Sequence, residues 1–399
     1  MDVANDAPPP LECSAVLTHH WLVRRRGGER VLEALRELLP DAPIYTLVHD
    51  PAGMRAADEA PAGLSGSTVW RSQAALIQEQ VHTSFLQYIP GSKRHYPKLL
   101  PLMPLAARRM RLPAVDLVVC SDAALAKAMT PHARSRVVCY CHSPMRYVWD
   151  LSELYRATLP APLRPLWGPL VRWLRDVDRA AAQRVHQFVA NSQHVAERIR
   201  RCYGRESVVI HPPVDLPPAP ASGPRGDFYL CVGHHVPYKR LDLAVDACRR
   251  LGRRLVVIGE GPDLRRLRTP ANPHVQFLGW QPDAVVADHY RRARALLFPG
   301  EEDFGLVPVE AQGHGCPVVA YGVGGVCETV VHGRTGVLFG EQTVEALAAA
   351  IGQLESLHLD PDDLHAHAQQ FSRANFLGAM RTLLQAAHAM DSQHPLHRA

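Results

Sequence analysis

Glu302 and Glu310 stand with seven residues between them, and what surrounds them decides what chemistry two such carboxylates could do. The apolar run 295–298, stopped by Pro299-Gly300, reads as a buried strand and its turn. Phe304-Gly305 makes a bend after Glu302, and a helix is expected to start at Pro308, with Glu310 in its first turn. Residues 318–321 read as the next buried strand, followed by Gly322, Gly324 and Gly325. A glycine loop leading into a helix presents backbone N–H groups and a positive helix end, which suit an anion such as a diphosphate. One carboxylate before the loop and one inside the helix would flank that anion and accept bonds from hydroxyl groups. A sugar nucleotide needs both features. The same spacing also fits an ordinary strand–helix–strand unit whose acids favour the helix start, and spacing alone does not separate the two.

The wording of the stretch does separate them. EEDFG followed by VPVEA resembles the signature of the family-four retaining glycosyltransferases, in the mannosyltransferase-like branch of surface-polysaccharide assembly. The resemblance implies that Glu310 bonds the nucleotide ribose and that Glu302 lies beside the donor sugar. It implies that the amides around Phe304, Gly305 and Leu306 hold sugar and phosphate. Gly27-Gly28, between a short strand and a helix, matches the loop that closes over the donor in that family. YCHSPMRYVWD matches the same branch, which implies that His142 touches the donor sugar, with Arg146 a weaker candidate for an acceptor or phosphate contact. Lys239 stands where the family neutralises the donor diphosphate. His234 stands where the family usually has an arginine, and a histidine is mostly neutral at pH 7 unless an anion raises its pKa. The catalytic set expected is therefore His142, Lys239 and Glu302.

The elements needed to position these residues follow from the apolar pattern. Strands are expected at 14–18, 44–48, 115–121, 137–141, 188–192 and 208–210, and again at 228–233, 255–258, 275–278, 295–298 and 318–321. Helical segments alternate with them, including one from about Glu29, one over 149–184 interrupted at 160–169, one from Leu241, one from Val344 and one from Asn375. That rhythm is α/β and doubly wound, and the resemblance implies the GT-B architecture, two Rossmann-like domains facing across a cleft. The expected organisation is an acceptor-side domain at 1–215 and a Pro/Gly-rich linker at 216–226. A nucleotide-sugar-binding domain at 227–375, a helix at 376–390 crossing back to the first domain, and a disordered tail at 391–399 complete it.

Composition narrows the function. With 399 residues and 47% apolar residues the chain can build two or three cores, and a net charge of +5 is too small to favour nucleic acid. No apolar run reaches membrane-spanning length, and MDVANDAPPPLE has no apolar core of a signal peptide. A cytoplasmic protein is expected. Residues 89–113 interleave Lys93, Arg94, Lys98, Arg108, Arg109 and Arg111 with apolar side chains, and 164–175 does the same. Such segments are either solvated basic faces or surfaces that dock at the inner face of the membrane. Nine scattered cysteines fit a reduced chain, and Cys139-Tyr140-Cys141-His142 has no second pair at zinc spacing.

The strings Asp176-Val177-Asp178 and Asp360-Pro361-Asp362 read as coincidence, because neither lies at a strand end. No metal cofactor is expected, since the glycine loop, helix end and Lys239 would stabilise the departing diphosphate. The resemblance implies hexosyl transfer with retention, from GDP-mannose, to a hydroxyl of a glycan acceptor, and the basic apolar segments favour an acceptor carried on a polyprenyl diphosphate. A UDP-sugar donor is the alternative within the family. A sugar-nucleotide epimerase would turn the donor over without an acceptor, and a non-catalytic nucleotide-sugar binder would not turn it over at all.

Overall fold

In this computed structural model, which describes residues 8–55, 80–221, 223–268 and 273–392, the strands form two all-parallel sheets. The first contains β1 (Ala15–His19), β2 (Ile44–Thr46), β3 (Val81–Thr83), β4 (Leu117–Asp122), β5 (Arg136–Cys141), β6 (Gln187–Ala190) and β7 (Ser207–Val209), in the order β3-β2-β1-β4-β5-β6-β7. The second contains β8 (Phe228–Val232), β9 (Arg254–Ile258), β10 (Val275–Gly279), β11 (Ala295–Phe298), β12 (Val318–Tyr321) and β13 (Gly336–Phe339), in the order β10-β9-β8-β11-β12-β13. Each order runs outward one way from its first strand and then the other way, which is the doubly wound topology.

The described residues divide into two compact units, one from residues 8–55, 80–213 and 376–392, the other from within 214–375. In the first, side chains alternate between two cores, as strand geometry requires. Leu17, Leu117, Val119, Val138 and Tyr140 face α1 (Gly27–Leu38), which contributes Val31, Leu32, Leu35 and Leu38. Cys120, Cys139 and Cys141 face the opposite core, with α2 (Arg164–Ala182) and α3 (Gln193–Tyr203). Each fully buried leucine of this kind contributes roughly 1.5–3 kcal/mol. The second unit is organised likewise, with α4 (Leu241–Leu251), α5 (Asp283–Arg292), α6 (Leu306–Gly313) and α7 (Val344–Ser356) on its sheet. The last helix, α8 (Arg373–Ser392), places Phe376, Leu377, Met380 and Leu384 in the α1-side core of the first unit.

Several expectations are corrected. β3 has no counterpart in the sequence reading, because its three residues are half-exposed and form no apolar run. Helix α2 continues through Pro169, so the interruption expected over 160–169 shrinks to the short stretch before Arg164. α6 starts at Leu306 rather than Pro308, and Glu310 is its fifth residue, beyond the first turn. Within the expected linker, Arg225 donates to the carbonyls of Tyr290 and Ala293. α8 runs to Ser392, and the rest of the expected tail, 393–399, lies outside the described residues. All nine cysteines are free.

Candidate functional site

Doubly wound sheets bind ligands beyond the carboxyl ends of the strands where the order reverses. In the second unit that place lies between β8 and β11, and the loops after those two strands carry Lys239 and Glu302. A Cβ on Gly300 would come within 2.6 Å of the Lys239 Cα, so only glycine lets the two loops touch here. Their contact brings Lys239 Nζ to 2.8 Å from Glu302 Oε1, with both side chains partly open to solvent. Cys231, Val232, His235, Pro299 and Gly300 line the small cavity they share.

The loop around Glu302 is held from two sides. The amide of Gly325 donates to the Glu302 carbonyl at 2.9 Å. Gly324, at φ 87°, passes so near that carbonyl that a Cβ would sit 2.5 Å from it. Phe304 turns its ring into a core with Val214, Val309, Ala368 and Phe371. Gly305, at φ 92°, then starts α6, whose first amides have no helical partner. Glu310 is half-buried and accepts a hydrogen bond from the Tyr290 hydroxyl at 3.1 Å.

The pair His234-His235 splits into two roles. His235 is buried, donates from Nε2 to the Ile258 carbonyl at 3.0 Å, and is pushed down to about 4 by burial. It is a neutral structural residue. His234, the expected counterpart of the family's arginine, is exposed beside it. Arg240 adopts φ 53°, uncommon for a non-glycine residue, and its guanidinium is held by Asp242 at 3.1 Å.

In the first unit the sheet order reverses between β1 and β4. Residues His19 and Ser121 occupy paired positions at those strand ends, and Ser121 pairs in turn with Tyr140 on β5. His142 lies two residues beyond Tyr140, on the same side of the sheet by strand alternation. The α1-side core therefore turns polar at one end. There His19 Nδ1 lies 3.0 Å from Ser121 Oγ, which lies 2.8 Å from His142 Nε2. Glu29, in the first turn of α1, places Oε1 3.5 Å from His19 Nε2 and accepts the Arg26 amide on Oε2 at 2.9 Å. Gly27 opens α1, and a Cβ on Gly28 would rest 3.6 Å from both the His142 and His19 rings, so this turn lies directly over the two imidazoles. Burial, with smaller contributions from His19 and His20, pushes His142 down to about 3, and burial pushes His19 down to about 4. Both are neutral at pH 7.

On the other face, Lys127 Nζ lies 2.7 Å from Asp122 Oδ2 and 2.6 Å from Asp178 Oδ1, all three fully buried. Asp178 also accepts from Trp149 Nε1 and the Tyr203 hydroxyl, so the first D-x-D string is a structural ion network. The other string supplies Asp360 as a helix cap, its carboxylate accepting from the Asp362 amide. The Asp122 carbonyl accepts the His142 amide at 2.8 Å, tying this network to the His142 loop. Arg146 is half-buried in the turn that follows. Among the described residues no group of acidic, histidine or cysteine side chains has a metal-binding arrangement. Sequence reasoning singled out neither Glu29, His19 nor Ser121 for a role. The available signal was that two apolar strands, 15–18 and 117–120, each end in polar residues.

The two units, each with a doubly wound parallel sheet, have the GT-B fold. The description "Glycosyltransferase Family 4" matches residues 25–217, and "Glycosyl transferases group 1" matches residues 227–356. The chain belongs to the family-4 glycosyltransferases. A D-inositol 3-phosphate glycosyltransferase of Gordonia bronchialis is 32% identical over 232 residues, 49% of this chain and 51% of that protein. A GDP-mannose-dependent alpha-(1-6)-phosphatidylinositol monomannoside mannosyltransferase of Mycobacterium tuberculosis is 32% identical over 143 residues, 31% of this chain and 37% of that one. The chain thus spans about half, or less, of the length of these curated relatives. Among solved structures, Anabaena HepE in complex with UDP-glucose superposes with a TM-score of 0.66 at 17% identity, covering 93% of this chain and 99% of that one. Sucrose-phosphate synthase from Thermosynechococcus elongatus gives 0.65 at 18%, covering 94% and 100%. At those identities the likeness is one of fold.

Proposed function

We propose that the protein is a retaining glycosyltransferase that moves mannose from GDP-mannose to a hydroxyl of a lipid-linked glycan acceptor in polysaccharide assembly. The observation that carries the reading is the Lys239–Glu302 pair at the β8/β11 strand ends, followed by the Gly305 turn and Glu310 on α6. Lys239 and the first amides of α6 take the diphosphate, Glu302 and His142 position the sugar, and Glu310 takes the ribose. His234, Phe304, Gly305, Leu306, Gly27 and Gly28 complete the donor contacts, and Arg146 serves the acceptor or a phosphate. The leaving phosphate accepts the proton of the attacking hydroxyl, and no metal takes part. The GDP-mannose-dependent relative supports the donor assignment, and a UDP-sugar is the competing one.

Calorimetric titration with GDP-mannose, GDP, UDP-glucose and UDP, with and without magnesium, tests this. GDP-mannose and GDP are expected to bind without metal. Glu310→Ala is expected to weaken both by about 10- to 100-fold, the worth of hydrogen bonds to a charged group. Binding of the uridine compounds alone would sink the mannose assignment and leave the family untouched.

Membrane association is part of the same proposal. Tyr88, Leu102, Leu105, Leu166 and Trp173 are exposed, Leu166 by 64%, and the basic residues of 93–111 together with Arg164 and Arg172 are exposed too. Exposed apolar groups interleaved with basic residues suit an anionic lipid surface. Among the described residues no helix is long and apolar enough to cross a membrane. Co-sedimentation with phosphatidylglycerol vesicles, weakening as salt rises and absent with phosphatidylcholine alone, is the expected result. Equal behaviour with both lipids would count against it.

A further inference from the structure

We infer that Glu29, His19 and Ser121 form a buried chain of positioning residues that fixes His142 as a hydrogen-bond acceptor, so that it reads a hydroxyl of the donor sugar rather than a phosphate oxygen. The inference rests on the glycosyltransferase reading for the identity of the ligand, but not for the chain itself.

The direction of every bond follows from the acidic end. Glu29 accepts the Arg26 amide on Oε2, and its Oε1 faces His19 Nε2 at 3.5 Å. That distance is too long for a closed hydrogen bond, so the carboxylate acts on the ring through its charge. A bare nitrogen lone pair aimed at a buried carboxylate is repelled, whereas an N–H dipole is attracted, so the proton of neutral His19 sits on Nε2. His19 Nδ1 is then an acceptor, and the donor facing it at 3.0 Å is the Ser121 hydroxyl. With its hydrogen committed to His19, Ser121 Oγ can only accept, and the group it faces at 2.8 Å is His142 Nε2. His142 therefore carries its proton on Nε2 and offers the lone pair of Nδ1. A diphosphate oxygen has no proton to give it, while a sugar hydroxyl does.

The order carboxylate, imidazole, hydroxyl is also that of a nucleophilic triad. Ser121 has no exposed surface at the end of a central strand, and its oxygen is already engaged by His142. It relays orientation and does not attack a substrate. Burial raises the Glu29 pKa, with the Arg26 amide favouring the charged form. A protonated Glu29 would run every bond in reverse and leave a hydrogen on His142 Nδ1, which makes the protonation pattern itself the test.

The experiment is proton–nitrogen correlation of the full chain labelled with nitrogen-15 histidine, at pH 7, with His142 assigned by the signal lost in His142→Gln. The expected result is a neutral His142 with a bare Nδ1 and a downfield, exchange-protected proton on Nε2. Ser121→Ala should move that proton upfield and remove its protection, and Ser121→Thr, which keeps a hydroxyl, should restore both. A proton on Nδ1, a charged ring, or an unchanged signal in Ser121→Ala overturns the inference. Steady-state transfer gives the second readout. Ser121→Ala should lower kcat about ten-fold with little change in donor KM, with recovery in Ser121→Thr. Failure of GDP-mannose to support transfer, with the nuclear signals as expected, would fall on the donor assignment and not on the chain.

Discussion

Lys239→Met is expected to lower the rate of sugar transfer by roughly 10²- to 10³-fold, the usual loss when one preorganised partner of a developing negative charge is removed. The size follows from where the charge appears. In the ground state the phosphate oxygen bonded to the anomeric carbon carries no full charge, and as that bond breaks its electron pair stays on the oxygen and adds one negative charge to the leaving diphosphate. Lys239 is the cation that the β8 loop places at the strand ends, where Glu302 balances it at 2.8 Å. Taking the lysine away removes the attraction and also leaves the Glu302 carboxylate facing an anionic leaving group. The loss should therefore be larger in kcat than in donor affinity, because the interaction grows along the reaction. Lys239→Arg keeps the charge but replaces a compact ammonium with a planar fork, and an intermediate rate is expected. Near-normal turnover in Lys239→Met, measured with whichever sugar nucleotide supports transfer, would remove Lys239 from the chemistry.

Lys127→Met should be the most damaging single change for stability, costing about 3–5 kcal/mol as breaking a buried ion network does. Burial alone would raise the Asp122 pKa, but the charge and hydrogen bond of Lys127 reverse that and bring it below the ordinary carboxylate range. Burial would lower Lys127, and its two aspartates reverse that as well. Asp178 stays raised, because burial outweighs Lys127 there. Without the lysine, Asp122 and Asp178 are two like charges in a dry interior, so the folded-state pKa of each should lie above its unfolded value. A carboxylate of that kind contributes stability below its unfolded pKa and loses it as pH rises through the folded one. The deficit of Lys127→Met should then be greatest near neutral pH and shrink as pH falls toward about 4. Urea midpoints at several pH values check this. A deficit that is constant or grows on acidification would contradict the account.

Much of this was legible in the sequence, and for identifiable reasons. β8, β9, β11 and β12 are apolar runs bounded by glycine, proline or polar turns, so a one-dimensional reading places them to within a residue. β3 escaped because an edge strand need not be apolar on either face. The start of α6 was misplaced because Pro308 is a familiar first-turn residue, whereas the turn is made by Gly305. Lys239 and Glu302 were each assigned through resemblance, but their contact was not, since no spacing rule links residues on separate loops. The Glu29–His19–Ser121–His142 chain was not reached at all. It exists only once β1, β4 and β5 are neighbours, and that order is a property of the sheet.

Helix α8 has a consequence for how the protein comes into being. Phe376, Leu377, Met380 and Leu384 complete the core beneath β1, β4 and β5, yet a ribosome adds them only after all of residues 214–375. The unit synthesised first is therefore the one that waits longest. Until α8 is released, Leu17, Val119 and Tyr140 lack part of their cover, whereas residues 214–375 already contain both faces of their sheet. During that interval the nascent chain exposes apolar surface that chaperones recognise. Biogenesis runs in the opposite sense to the numbering, with the second half maturing ahead of the first.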